Sequence, residues 1–182
     1  MRNEKTVSLV KCEGYGAAEV MGAVQESIRL LGGIERFVER GQKVLLKPNL
    51  LRAAAPEKCV TPHPHVVLAV GRMLLDRGCE VVLADSPGAG QPYTEVGLQK
   101  VYAATGMDRV ASELGIELNF DTTYRDVPNP GGRMIKRFSM IGPALDADAL
   151  VSVSKAKTHV MTAMTGATKN LFGLLPGGEK PS

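Results

Sequence analysis

Cysteine is scarce in this sequence, long apolar runs are missing, and neither sign of charge dominates. Cys12, Cys59 and Cys79 are the three cysteines in 182 residues, and none forms a CxxC pair. An odd number so widely spaced excludes a disulfide framework. Three thiols also fall short of the four that hold an iron–sulfur cluster, so this chain by itself is expected to bind none. No apolar run reaches the roughly 18 residues that a membrane-spanning helix needs. The opening MRNEKTVSLV lacks the apolar core of a secretory signal, so a cytoplasmic location with no membrane partner is expected. Lys+Arg 22 against Asp+Glu 19 leave a formal charge of +3. That surplus is too small for a general nucleic-acid binder, which draws its affinity from neutralising many phosphates, so no nucleic-acid partner is expected.

What is present is the composition of a folded domain. Hydrophobic residues make up 44% and charged residues 23%, enough apolar material for a core, and residues 1–182 read as a single domain. Short apolar runs alternate with helical periodicity. Strands are expected at Thr6–Val10, Val44–Leu46, Glu80–Ala84, Ile116–Asn119, Met134–Met140 and Leu150–Val153. Helices are expected over Ala17–Leu31, stopped by Gly32 and Gly33, and from a Thr61 cap with Pro62 at the first helical position up to Gly78. A third runs over Thr94–Leu114 with a break near Gly106, while Val127–Arg133, rich in proline and glycine, reads as a loop. This alternation predicts an α/β fold: a mainly parallel sheet with helices on both faces.

Three polar motifs directly follow apolar strands. Lys47-Pro48-Asn49 follows VLL, Asp85-Ser86-Pro87-Gly88 follows VVLA, and Ser154-Lys155-Ala156-Lys157-Thr158-His159 follows LVSV. In an open α/β sheet the carboxyl ends of the strands are where ligands bind, so the three loops are expected to converge on one crevice containing Lys47, Asp85 and Lys155. Each has a plainer alternative, since proline and asparagine also serve strand exits and Asp-Ser-Pro-Gly also makes turns. His63 and His65, with Cys59 nearby, suggest a metal. Residues two apart on a helix do not share a face, and a helix start accounts for the stretch, so no metal site is assigned.

The stretch SVSKAKTHVMTAMTGATKNLFGLLPGGEK mixes Lys155, Lys157, Lys169 and Lys180 with His159, Asn170 and small residues. Gly166, Gly173, Gly177 and Gly178 let backbone N–H groups approach a ligand, and the lysines supply charge. The combination suits a phosphate or carboxylate, although the spacing is not that of a P-loop. The expected partner is an anionic small molecule or cofactor of unknown identity. Lys47, Asn49, Asp85, Ser86, Lys155, Lys157 and Asn170 are its candidate binding residues, and His159 and Lys169 are the candidate catalytic groups.

VLLKPNLL, TPHPHVVLAVGRMLLDRGCEVVLADSPG and DADALVSVSKAKTHVMTAMTGATKNLFGLLPGGEK, in this order and spacing, resemble the domain of unknown function 362 family from about Thr6 to Lys180. The resemblance implies a bacterial or archaeal protein in a family many of whose members carry a ferredoxin-like two-cluster module, whose cysteines this chain lacks. It also implies that the chain is the N-terminal part of a longer family domain, an incomplete fold expected to self-associate or to meet an iron–sulfur domain outside it. A more local resemblance covers HVMTAMTGATKNLFGLLPG. It is similar to a block of nickel-pincer lactate-racemase-type enzymes in which a lysine anchors a pyridinium cofactor and histidines perform proton or hydride chemistry, and it implies site roles for Lys169 and His159. Three function classes stay open: an acid/base or redox enzyme, an electron-transfer component, and a non-catalytic ligand-binding module.

Overall fold

The protein is described here from a computed structural model covering residues 6–88, 90–159 and 162–177. Gly178 and Lys180 of the cationic stretch lie outside the described residues. The elements run α1 (Ala17–Leu30), β1 (Lys43–Pro48), α2 (Pro64–Asp76), β2 (Glu80–Leu83), α3 (Glu95–Thr105), α4 (Met107–Leu114) and β3 (Glu117–Leu118). They continue as β4 (Tyr124–Pro128), β5 (Arg137–Ile141), α5 (Gly142–Leu145), β6 (Ala149–Val153), β7 (Lys157–His159), β8 (Ala163–Thr165) and α6 (Ala167–Asn170), which runs into a 3-10 turn at Leu171–Leu174.

The main sheet has the order β3-β2-β1-β6 and every pairing in it is parallel. The α/β class expected from the alternation is therefore the one observed. Apolar side chains alternate across the pleat. Val44 and Leu46 of β1, Val81 and Leu83 of β2, and Val151 and Val153 of β6 share one face and enter the core. Helix α2 lies on that face, close enough that a Cβ at Gly71 would meet Leu46 and Leu114, so its register over the sheet depends on that glycine. Leu45, Lys47 and Ser152 point to the other face, which receives α6 at its carboxyl end.

Several boundaries differ from expectation. Thr6–Val10 forms no strand, and Val7 and Leu9 are 86% and 95% exposed. An alternating pattern makes a strand only where an edge accepts it, and none of the described strands pairs with this segment. Helix α2 begins two residues later than Thr61-Pro62 suggests. His63 is its cap, Nδ1 accepting from His65 N–H at 3.2 Å, and Pro64 takes the first position. The break near Gly106 is real: its φ of 74° is a left-handed conformation that a β-carbon disfavours, and it separates α3 from α4. Val127 and Pro128 belong to β4 rather than to a loop, because a two-stranded hairpin gives Pro128 a place at the end of a ladder.

Candidate functional site

Strands β1, β2 and β3 succeed one another in one direction across the sheet, whereas β6 lies on the other side of β1. The gap past the carboxyl ends of β1 and β6 is thus the point where the strand order reverses, the position at which open α/β sheets receive ligands. Lys47-Pro48-Asn49 and the segment from Ser154 open there, and Asn49 N–H donates to Val153 O at 3.1 Å.

At the floor of this gap Lys47 Nζ stands 2.5 Å from Asp85 Oδ1, with both side chains buried. Neither charge is held by its partner alone. Asp85 Oδ2 accepts from Leu50 N–H at 2.8 Å, and Lys47 Nζ donates to Asn170 Oδ1 at 2.8 Å. Asn170 is itself buried, accepting also from Asn49 Nδ2 at 3.3 Å and donating to Ser152 Oγ at 2.9 Å and Lys47 O at 3.3 Å. One amide therefore fastens α6 to β1 and β6 together. The following turn is fastened to the segment just past β2, where Ser86 N–H donates to Gly173 O at 2.9 Å. A Cβ at Gly173 would collide with Asp85 Oδ1 and Lys47 Nζ, so only glycine lets the turn lie over the ion pair.

Above the pair the charge is cationic. Lys157 Nζ donates to Asn49 Oδ1 at 2.7 Å and to Val60 O. Its pKa is lowered, first by burial; Asp85 pulls it back up, and the Lys155 and Lys169 ammonium groups add to the lowering. Lys157 thus lies within the fields of Lys155 and Lys169 and of a carboxylate already paired with Lys47. Lys169 Nζ sits 4.5 Å from the centre of the Phe172 ring, and both residues line a cleft of about 60 Å³ with Asp85, Ser86 and Gly88. That volume suits a few heavy atoms, the size of one phosphate or carboxylate group of a ligand.

The structure brings Lys47, Asn49, Asp85, Asn170 and Lys157 into one hydrogen-bonded network, with Ser86 joined through Gly173 and Lys169 at the rim. Lys155 turns to a different set of groups. Its Nζ donates to Tyr15 Oη at 3.1 Å, and Tyr15 stacks on His63 with ring centroids 4.3 Å apart. His159 sits in the β7–β8 hairpin, where its Nδ1 accepts from Thr162 N–H at 3.4 Å.

Sequence reasoning missed Ser152, Tyr15 and the constraint at Gly173. Ser152 could have been found, since its register opposite Lys47 follows once β1 and β6 are paired. Tyr15 precedes α1 and carries no motif. The Cys59, His63 and His65 group is put to other uses: His63 caps α2, His65 Nδ1 is 2.6 Å from Tyr15 O, and Cys59 Sγ donates to Glu57 O.

The sequence profile of the domain of unknown function 362 matches residues 44–182. A thylakoid-associated protein of Synechocystis sp., sll1697, is 32% identical over 183 residues, covering 97% of this chain and 52% of the relative. The chain therefore spans about half the length of that relative. No solved structure matches.

Proposed function

The chain belongs to the domain of unknown function 362 family, and on that premise we propose that it binds an anionic small molecule or cofactor at the carboxyl edge of its parallel sheet. The observation that carries this reading is the charge arrangement at the strand-order reversal. Among the described residues Asp85 is the one buried carboxylate and Lys47 neutralises it, while Lys157, bonded to Asn49 above the pair, lies within the fields of both Lys155 and Lys169. Lysines in mutual proximity repel, so an anion among them relieves a cost present in the empty site. Lys169 at the cleft rim and Lys157 on Asn49 are the clamps, and the Lys47–Asp85–Asn170 network is the frame that aims them. His159 is the group assigned proton transfer in any reaction at this edge. Native mass spectrometry of freshly purified protein tests the proposal. A retained phosphate- or carboxylate-bearing mass, lost in Lys169→Ala, supports it; a ligand-free parent that gains no mass from added phosphate, nucleotide or dicarboxylate sinks it.

A second reading concerns location. The relative is a thylakoid-associated protein, and this favours a peripheral membrane contact for the present chain as well. Among the described residues no helix is long and apolar enough to cross a membrane, but a peripheral contact needs none. The expectation of no membrane partner rests on the lack of a span and of a secretory signal, neither of which bears on a peripheral contact.

A further inference from the structure

The turn between β4 and β5 is built to hold its side chains outward. Asn129 N–H donates to Lys136 O at 2.7 Å, Asn129 Nδ2 to Ile135 O at 2.9 Å, and Gly132 N–H to Asn129 O at 3.0 Å. A Cβ at Gly132 would collide with Ile135 O, so the turn closes only with glycine there. The result is an exposed apolar tip: Met134 is 95% and Ile135 53% accessible. Met134 held almost wholly in water, with Ile135 half-exposed beside it, makes a patch of the kind that marks an interaction surface.

Its charge indicates the kind of surface it meets. Between Tyr124 and Arg137 the sequence has Arg125, Arg133, Lys136 and Arg137 against Asp126 alone, a surplus of three that equals the formal +3 of the whole chain. The remainder of the protein is neutral on balance. Asp126 pairs with Arg137 at 3.3 Å and Asp146 with Arg125 at 2.5 Å. Among the described residues no carboxylate pairs with Arg133 or Lys136, the two cations that bracket Met134 and Ile135. Behind the tip an apolar groove of about 440 Å³ runs between β5 and the 3-10 turn, lined by Ile135, Phe138, Met140, Leu171 and Phe172. An apolar point ringed by cations is matched by an anionic lipid interface, whose headgroups take the charges while the acyl boundary takes the apolar atoms. A folded protein partner would need a cavity shaped to this narrow turn, whereas a fluid bilayer needs none.

We infer that the β4–β5 tip docks the protein on an anionic bilayer, with Met134 and Ile135 entering the interface and Arg133 and Lys136 holding lipid phosphates. This rests on the peripheral-membrane reading above and names the face that makes the contact.

The test is co-sedimentation of the full chain with phosphatidylcholine vesicles, with and without phosphatidylglycerol, at low and high salt. The parent binds the phosphatidylglycerol vesicles and is released by salt. Arg133→Gln/Lys136→Gln weakens partitioning roughly 30-fold, and Met134→Asp/Ile135→Asp abolishes it, with melting temperatures unchanged because the tip is exposed. If the parent binds and both variants bind equally well, the hairpin assignment is overturned while the membrane reading stands. If the parent fails to bind either vesicle, both fall. A dimer dissolved by Met134→Asp/Ile135→Asp, with vesicle binding unaffected, assigns the tip to a second copy of the chain and overturns the inference.

Discussion

Lys47 Nζ lies 2.5 Å from Asp85 Oδ1 with both side chains almost wholly out of water, at 0% and 4% exposure. Lys47 lies near the end of β1 and Asp85 just beyond β2, so two neighbouring parallel strands deliver opposite charges to one point. Removing both ions from water costs several kcal/mol each, offset here by their attraction and by the bonds to Leu50 N–H and Asn170 Oδ1.

That balance makes single and double substitutions differ. Lys47→Met leaves the Asp85 carboxylate buried beside an apolar chain and lowers stability by about 3–5 kcal/mol. In a chain of this length the melting temperature falls by roughly 6–20 °C. Lys47→Met/Asp85→Leu removes both charges and melts closer to the parent than Lys47→Met does. Thermal melts followed by circular dichroism check the order. A loss under about 1 kcal/mol in Lys47→Met, the range of exposed pairs, would mean that water reaches the site.

Gly173→Ala tests the frame from the other side. Its methyl group has no space beside Asp85 and Lys47, so the turn must lift and the Ser86 N–H to Gly173 O bond must stretch or break. The expected cost is about 1–3 kcal/mol, with the anion response of the site lost at the same time. Faster exchange of the Ser86 amide hydrogen is the direct readout, and unchanged exchange with parental stability counts against the close packing described here.

The sheet was legible because its strands announce themselves. VLL, VVLA and LVSV are short, mostly apolar and contain valine, and a parallel strand covered by helices has little else to show. The polar residues after them could be placed at the carboxyl edge without any knowledge of contacts. What could not be read was pairing across distance. Asn170 lies 123 positions from Lys47, and nothing in TKNLFG says that its amide, rather than the lysine before it, reaches the buried ammonium. The β7–β8 hairpin escaped notice because its strands have three residues each, too few to show a period. Thr6–Val10 failed for the opposite reason, a clear alternation with which none of the described strands pairs.

Lys157 gives the candidate site an alkaline signature. Burial chiefly lowers its pKa below the usual 10.5, and Lys155 and Lys169 add to this. Between the lowered value and 10.5 the unfolded chain holds more protons on this group than the folded one, so its contribution makes stability rise with pH in that window. Below the window the penalty of the charged, partly buried amine is fully present. Lys157→Met removes this slope, so the stability difference between parent and variant should shift toward the parent as pH rises toward 10.5. Urea melts across the alkaline range measure it, and parallel curves for the two proteins would remove the burial argument.

His63 acts at the acid end. Burial lowers its pKa first, and His65 and Lys155 contribute, with Glu57 opposing. Its Nδ1 accepts the His65 N–H that starts α2, which also requires the unprotonated atom. The unfolded state therefore takes up protons before the folded one. Stability from this group is present above the ordinary 6.5 and lost as pH falls from there through the lowered value. His63→Asn keeps a cap acceptor without the titration and flattens that part of the profile. An acid limb identical in parent and variant would place the titration elsewhere.

The central claim is that Lys155, Lys157 and Lys169 form one anion site over the Lys47–Asp85 floor, and the melting temperature of parent and Lys169→Ala in increasing phosphate, nucleotide and dicarboxylate tests it most directly. At 100 times its dissociation constant an anion stabilises the parent by about 2.7 kcal/mol, a rise of roughly 5–10 °C. Lys169→Ala should lose most of that rise, while His159→Gln, which changes the candidate proton carrier and not the clamps, should keep it. A Lys169→Ala protein that responds to every anion as the parent does would contradict the account and leave these lysines as a solvated surface.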